Sequence, residues 1–367
     1  MQYQPQQQYQ YPPQPYPQQR QPQGYPTQQY PPQAYPAQRY IQPQMTPEQY
    51  RQHEYERKLR STVNSLGTLM LIFFGLEFII ALTADFILLA FGMENELYEM
   101  SPLYLLENGM ISSLIFFFSG LIYCLIKRLR FADIFPFEKI KGSYLAQLCV
   151  IGLSFSLMSN YVVDLVNNTF GLFGIENTGG SFDAGSEPNV LIYFLTVAIL
   201  PAFAEEFAFR GIVMGSLRPY SEGLAILVSS ATFALMHGNF VQLPFTFCCG
   251  LVFAFIDIKT NSLLPSIIIH FFNNGLSVLF DILTSYGIMN DATANLCYGL
   301  IFVVTGILSF IFLKRIISRD DGSLFRLKDG NDVIPYKSKI KSAATSPTLI
   351  VFASFMVLYS IVILVAA

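Results

Sequence analysis

The stretch LIYFLTVAILPAFAEEFAFRG, residues 191–211, decides the fold class of this chain. It has about the 20 apolar residues that a helix needs to cross a bilayer, and near its end it carries Glu205, Glu206 and Arg210. Similar apolar runs occur along most of the chain, near residues 65–91, 109–126, 145–166, 189–208, 222–238, 241–257, 261–283, 296–313 and 348–367. The sequence therefore predicts an all-α, polytopic transmembrane helix bundle of about eight or nine spans.

The composition of the 367 residues agrees with a membrane protein and excludes several other classes. Hydrophobic residues make up 52% of the chain and charged residues 13%, about half of the roughly 25% that is typical of soluble domains. With 22 basic and 25 acidic residues, the chain has no excess of positive charge for binding nucleic acid. The five cysteines are odd in number and form no C-x-x-C pair, so we expect neither a disulfide framework nor a zinc cluster.

The N-terminal 45 residues consist mostly of Gln, Pro and Tyr. Such a segment cannot bury enough apolar surface to offset its chain entropy, so we expect a disordered tail. It lacks the apolar core of a secretory signal, which argues against a cleaved leader. The Pro-rich sequence leaves open a second role, as an arm that docks a partner protein. After it, Thr46, Pro47 and Gln49 form a capping-box pattern that predicts a juxtamembrane helix over residues 46–61.

The basic residues predict the orientation of the chain in the membrane. They precede the first span and follow the second, fourth, sixth and eighth, whereas loops 93–101 and 176–189 are acidic or neutral. Because short cytoplasmic loops concentrate Lys and Arg, we expect a multi-pass protein of the cell membrane with a cytoplasmic N-terminus and an external C-terminus.

A set of polar residues lies within the apolar runs. A charged side chain at mid-membrane costs about 2.5–3.5 kcal/mol on insertion scales, so such a set calls for a function. Glu206 and Arg210 share a helix face at i, i+4 and can form a structural ion pair. Glu205 points about 100° away from them and is left free. His237 ends a later run, and His270 and Asn274 share the face of another. Two histidines, a free carboxylate and an amide suit general acid–base chemistry.

Three motifs in this region resemble those of a known family. They are E-E-x-x-x-R at 205–210, F-x-x-x-H at 233–237 and H-x-x-x-N at 270–274. In this order they resemble the CPBP family of intramembrane proteases, which includes the type II CAAX prenyl endopeptidases. The resemblance spans residues 189–285 and implies an intramembrane peptide hydrolase. Together with the composition and the apolar runs, it gives five expected parts: a tail (1–45), a juxtamembrane helix (46–61), N-terminal transmembrane helices (62–188), a protease core (189–285) and C-terminal transmembrane helices (286–367).

The resemblance also implies a role for each matched residue. Glu205 would activate a water molecule for attack on the peptide bond, with His237 helping to hold or polarise it. His270 and Asn274 would stabilise the oxyanion, and the Glu206–Arg210 pair would keep the shape of the site. The implied partners are the lipid bilayer and a membrane-associated substrate, either a CAAX-type prenylated protein or a small membrane peptide.

Several alternatives stay open from the sequence. We favour a site with no obligatory metal, but Glu205, His237 and His270 resemble the His₂Glu ligand set of catalytic Zn²⁺ sites. A non-catalytic membrane binding protein and an ion-coupled transporter are the alternative functions. The predicted orientation also places Glu205 near the cytoplasmic side and His237 near the outer side. The two can meet only if helices are tilted, offset or broken near Pro201 and Pro244.

Overall fold

The computed structural model describes residues 45–92, 105–172, 190–330 and 333–366, so the predicted disordered tail lies almost wholly outside the described residues. Within these ranges the chain is helical apart from connections and one isolated bridge between Phe137 and Ser262. The helices, in chain order, are α1 (Pro47–Ala90), α2 (Ser112–Lys127), α3 (Phe131–Ile134), α4 (Gly142–Gly171), α5 (Val190–Leu217), α6 (Glu222–Met236), α7 (Gln242–Thr260), α8 (Leu264–Ser285), α9 (Asp291–Ile317), α10 (Tyr336–Ala344) and α11 (Pro347–Ala366).

The prediction of an all-α transmembrane bundle is confirmed. Eight helices within the described ranges are long and apolar enough to cross a bilayer, namely α1, α2 with the turn before it, α4, α5, α7, α8, α9 and α11. The remaining long apolar run of the sequence forms α6, a helix of only 15 residues. The short length of α6 determines how deep in the bundle the residue at its C-terminal end, His237, lies.

The first helix begins where the sequence predicts. Thr46 caps α1 and accepts a hydrogen bond from the backbone N–H of Gln49, while the side chain of Gln49 accepts one from the backbone N–H of Thr46. This reciprocal capping satisfies two of the N–H groups that a helix start leaves unbonded. The helix then continues for 44 residues without a break, so the charged juxtamembrane stretch and the first span are one element.

Helix α5 is irregular around the paired glutamates. Two π-helical segments, Phe194–Ile199 and Glu206–Met214, flank the α-helical turn Leu200–Glu205. Pro201 lies at the junction and has no N–H to continue the hydrogen-bond ladder. Wide π-helical turns are uncommon and occur frequently at functional sites, which directs attention to this helix.

Helices α6 and α7 cross closely at Gly250. A Cβ atom at this position would lie 2.9 Å from the Cβ of Ser230 on α6, a separation that side chains do not tolerate. A small residue at the crossing lets two membrane helices approach and gain packing contacts. The crossing fixes the position of α6 and therefore of the His237 that follows it.

The basic segments of the chain meet at one end of the bundle, which we call the basic face. Contacts between their helix ends and loops join them there: Tyr55 to Tyr220, Arg218 to Asn261, Phe137 to Ser262, and Lys259 to Ser323. These contacts connect the start of α1, the loop after α2, the ends of α5 and α7, and the loop after α9. The alternation of basic loops in the sequence therefore corresponds to a single charged surface.

Candidate active site

The structure places Glu206 and Arg210 in contact inside the bundle, and both side chains are fully buried. Arg210 Nε lies 3.1 Å from Glu206 Oε2. The guanidinium also lies 4.2 Å from the centroid of the Phe233 ring and 5.4 Å from that of Phe253. Aromatic faces attract a cation, and the attraction grows when water is excluded. Arg210 thus pairs with a carboxylate on its own helix, α5, and contacts one aromatic ring on α6 and one on α7.

Glu206 has a second partner in His270 on α8. His270 Nδ1 lies 2.8 Å from Glu206 Oε1. An ionised carboxylate beside Arg210 only accepts hydrogen bonds, so Nδ1 of the imidazole carries the donated proton. This bond fixes the ring with Nε2 facing Glu205, and the distance from Nε2 to Glu205 Oε2 is 3.8 Å. Glu206 therefore orients His270 as well as balancing Arg210.

Glu205 differs from its neighbour because it faces a cavity. Its side chain is 16% exposed, and its Oε2 atom has no hydrogen-bond partner among the described residues. The cavity has a volume of about 570 Å³ and is bordered by Glu205, His237 and Asn274. A carboxylate that lines a space large enough for several water molecules can accept a proton from one of them.

His237 lines the same cavity from the C-terminal end of α6. Its Nδ1 lies 2.9 Å from the backbone carbonyl of Phe233. Because a carbonyl can only accept a hydrogen bond, Nδ1 carries the proton and Nε2 is left as an acceptor. The imidazole can therefore orient a water molecule or receive a proton through Nε2.

The expected separation of Glu205 and His237 across the membrane is wrong, and the reason is the length of α6. At 1.5 Å per residue, Glu205 lies about 18 Å along α5 from Leu217, and His237 lies about 22 Å along α6 from Glu222. Both distances fall short of the roughly 30 Å hydrocarbon thickness. The two side chains therefore reach similar depths. No break at Pro244 is needed, since that residue lies in the first turn of an unbroken α7.

Asn274 reaches the cavity from α8 and bonds to the irregular part of α5. Its Nδ2 donates to the backbone carbonyl of Val197 over 3.1 Å, and its Oδ1 accepts from Asn273 Nδ2 over 3.1 Å. In an α-helix the Val197 carbonyl would accept from residue 201, which is a proline without an N–H. The amide nitrogen has two hydrogens, so one remains for a ligand in the cavity.

The six predicted residues form two layers. Glu205, His237 and Asn274 border the cavity, whereas His270, Glu206 and Arg210 lie behind it and are buried. The sequence interpretation separated the Glu206–Arg210 pair from the other four residues but not His270, because helical spacing gives the face of a side chain and not its depth in a bundle.

Two further residues belong to this region and were missed from the sequence. Asn273 borders the cavity beside Asn274, and its only signal was the Asn-Asn pair in the third motif. Asp257 on α7 is buried, and its Oδ1 accepts a hydrogen bond from the backbone N–H of Ser266 in the first turn of α8. A carboxylate there stabilises the start of the helix that carries His270. Its signal was an aspartate inside an apolar run.

The residues do not gather as metal ligands. Among the described parts of the chain, no three His, Cys, Asp or Glu side chains are grouped so that they could hold an ion. Each imidazole uses Nδ1 for a bond to the protein, and His270 Nε2 lies 3.8 Å from Glu205 Oε2. We therefore derive no step through a metal.

Apolar spanning helices around a buried carboxylate, histidine and asparagine define a helical membrane protein with a polar site inside the bundle. Residues 187–276, which hold all six predicted site residues, match the family model described as type II CAAX prenyl endopeptidase Rce1-like. The resemblance predicted from the three motifs is confirmed for this part of the chain, which is similar to that family.

Two curated proteins each match about a quarter of the chain. The membrane-embedded CAAX protease MroQ of Staphylococcus aureus (strain USA300) is 34% identical over 99 residues, which is 25% of this chain and 40% of that protein. An uncharacterized 24.3 kDa protein of Escherichia coli is 31% identical over 101 residues, 26% of this chain and 46% of that protein. The matches thus span less than half of either relative. No solved structure matches the chain significantly.

Proposed function

We propose that this protein is an intramembrane endopeptidase that hydrolyses a peptide bond of a membrane-associated substrate with a water molecule activated by Glu205. The observation that carries the proposal is that the Glu205 carboxylate and His237, whose Nε2 is left as an acceptor, line one cavity. The match of this region to an endopeptidase family and to a protein named as a CAAX protease supports it.

In the proposed reaction, Glu205 accepts a proton from the water as its oxygen attacks the carbonyl carbon of the scissile bond. His237 Nε2 accepts a hydrogen bond from the second O–H of that water, and this bond directs a lone pair of the water oxygen toward the substrate. Glu205 then returns the proton to the leaving amine, and the C–N bond breaks. Proton transfer by a positioned side chain typically contributes 10²–10⁴-fold to the rate.

The oxyanion needs donors that are already in place. Asn274 keeps one amide N–H free while the other is held by Val197, so the side chain does not have to reorganise. Removing a single oxyanion donor typically costs 10²–10³-fold in kcat. His270 was expected to be a second donor, but it lies behind the cavity; we propose that it acts through Nε2, which faces Glu205, while its bond to Glu206 fixes the ring.

The substrate belongs to one of two classes, a CAAX-type prenylated protein or a small membrane peptide. The cavity carries apolar walls from Leu105, Phe116 and Phe245 beside its polar groups, which suits a peptide that arrives from the bilayer. We propose that the basic face lies in the cytoplasm of a cell membrane, with the N-terminus on the same side, because basic loops are retained there.

The experiment compares membranes that contain the wild type with membranes that contain Glu205→Ala at matched expression, and identifies peptide termini by mass spectrometry. Termini found only with the wild type would support proteolysis and name the cleaved bond. Identical termini with a folded variant would overturn the proposal in favour of a non-catalytic binding protein or an ion-coupled transporter.

We also propose that no metal is required for this cleavage. A chelator should therefore leave the wild-type termini unchanged. Loss of these termini with the chelator and their recovery with Zn²⁺ would contradict that.

A further inference from the structure

A large recess lies on the basic face, apart from the active-site cavity. Its volume is about 1150 Å³, and its walls come from the start of α4, the ends of α5, α7 and α9, and residues 318–328. The recess and the active-site cavity share no lining residue. Whatever occupies the recess would therefore not compete directly for the proposed peptidase site.

The recess carries positive charge that the protein does not neutralise. Its two acidic residues, Glu222 and Asp320, accept hydrogen bonds from backbone N–H groups of the surrounding loop. Lys141, Arg315 and Arg319 line the same space, and their side chains have no ion pair or hydrogen bond with another described residue. Several cations facing one recess would repel each other unless an anion bound there.

The wall that completes the recess is a fixed part of the structure. Lys259 Nζ donates to the carbonyls of Ser323 and Arg326 over 3.1 Å and 2.6 Å. The backbone N–H of Glu222 bonds to the carbonyl of Lys328 over 2.8 Å, and the N–H of Lys328 bonds back to the Glu222 carboxylate over 2.8 Å. These bonds fasten the loop after α9 to helices α6 and α7, so the recess is built and does not depend on an exposed flexible segment.

An apolar groove continues from the recess along the bundle. It has a volume of about 470 Å³ and shares Tyr144, Lys259, Ile316, Leu324 and Leu327 with the recess. Apart from Thr260, its other walls are apolar side chains of α4, α6, α7, α9 and the loop after α9, including Phe155 and Leu313. The basic recess thus opens into a groove that is almost wholly apolar.

We propose that the recess and the groove together bind one anionic phospholipid, with the phosphate among Lys141, Arg315 and Arg319 and an acyl chain along the groove. Basic pockets between transmembrane helices bind acidic headgroups, and the groove supplies an apolar surface for the chain. A cytoplasmic excess of Lys and Arg alone would spread along the membrane surface. Here the cations converge on a recess that is continuous with an apolar groove, which is the chemistry of a lipid.

The test is native mass spectrometry of the full chain in detergent, supplied with equal amounts of phosphatidylglycerol and phosphatidylcholine. We expect the wild type to retain phosphatidylglycerol preferentially. The variant Arg315→Gln/Arg319→Gln should lose about tenfold or more of that retention, since each basic residue contributes to attraction of acidic lipid. The matched control, Lys314→Gln/Lys337→Gln, removes the same charge from exposed residues outside the recess and should stay within about twofold of the wild type.

Leu313→Trp tests the acyl chain separately, because the larger ring fills the groove without changing the charge. We expect it to weaken retention of phosphatidylglycerol while the protein elutes as a folded species. Equal loss in the recess and control pairs would overturn the proposal in favour of diffuse surface attraction. Displacement of the lipid by inorganic phosphate, unchanged retention in Leu313→Trp, or no preference for the anionic lipid in the wild type would each overturn it as well.

Discussion

The side-chain amide of Asn274 on α8 donates a hydrogen bond to the backbone carbonyl of Val197 on α5 over 3.1 Å. That carbonyl lies four residues before Pro201, which has no N–H to give it in an α-helix. The irregular turn of α5 and the proposed oxyanion donor are therefore coupled. The proline that distorts the glutamate helix also creates the acceptor that positions the asparagine.

This coupling predicts a non-additive pair of substitutions. Asn274→Ala removes the side-chain donor to the Val197 carbonyl and should lower the thermal unfolding midpoint, since a typical hydrogen bond contributes about 0.5–1.5 kcal/mol. In a Pro201→Ala background the backbone N–H at residue 201 can replace the amide, so the same change should cost less. A double-mutant cycle on unfolding in one detergent measures the difference. Additive effects would mean that the two residues are not coupled.

The adjacent glutamates should respond differently to the same substitution. Glu205→Gln keeps size and polarity, and we expect it to abolish peptide cleavage with little change in the unfolding midpoint. Glu206→Gln leaves the guanidinium of Arg210 buried without a counter-charge, which typically costs 3–5 kcal/mol. Thermal unfolding and cleavage are measured on the same two preparations, each variant serving as the control of the other. Equal destabilisation by both would remove the basis for assigning Glu205 to chemistry.

Removing both charges should restore part of the lost stability. Glu206→Gln/Arg210→Met removes both charges of the pair, so neither is left without the other, and replacing a buried ion pair by neutral side chains is often close to neutral. Cleavage should stay low, because His270 loses the carboxylate that orients its ring. A folded double variant with full activity would show that orientation of His270 by Glu206 is unnecessary.

The sequence predicted the membrane class, the cap of α1 and the six residues that we propose for the site, because these predictions depend on apolar run length and on local spacing. It missed the depth of His237, which follows from α6 having 15 residues where a full span needs about 20. It also missed the bond from Asn274 to Val197, since that contact joins residues 77 positions apart. Local patterns cannot supply relationships between helices that only packing determines.

Substitution of His237 tests its proposed role in holding the water molecule that Glu205 activates. His237→Ala removes Nε2 from the cavity, and we expect cleavage to fall by roughly 10²–10⁴-fold. The control is His53→Ala, which removes a histidine from the exposed surface of α1 and should leave cleavage unchanged. Both are followed by the rate at which the terminus assigned to the wild type appears in isolated membranes. Equal effects of the two substitutions would contradict a role for His237 at the site.

The crossing of α6 and α7 should control the site from a distance. Gly250→Ala adds a methyl group that would lie 2.9 Å from the Cβ of Ser230, so the two helices must separate. Overpacking of this kind typically costs 1–3 kcal/mol, and the shift of α6 carries His237 away from Glu205. We expect a lower unfolding midpoint and reduced cleavage. The control is Gly299→Ala on α9, where the added methyl group meets no atom within 4 Å and a better helix former should be neutral or slightly stabilising. If Gly250→Ala lowered the midpoint but left cleavage at the wild-type rate, the position of α6 would not govern the chemistry.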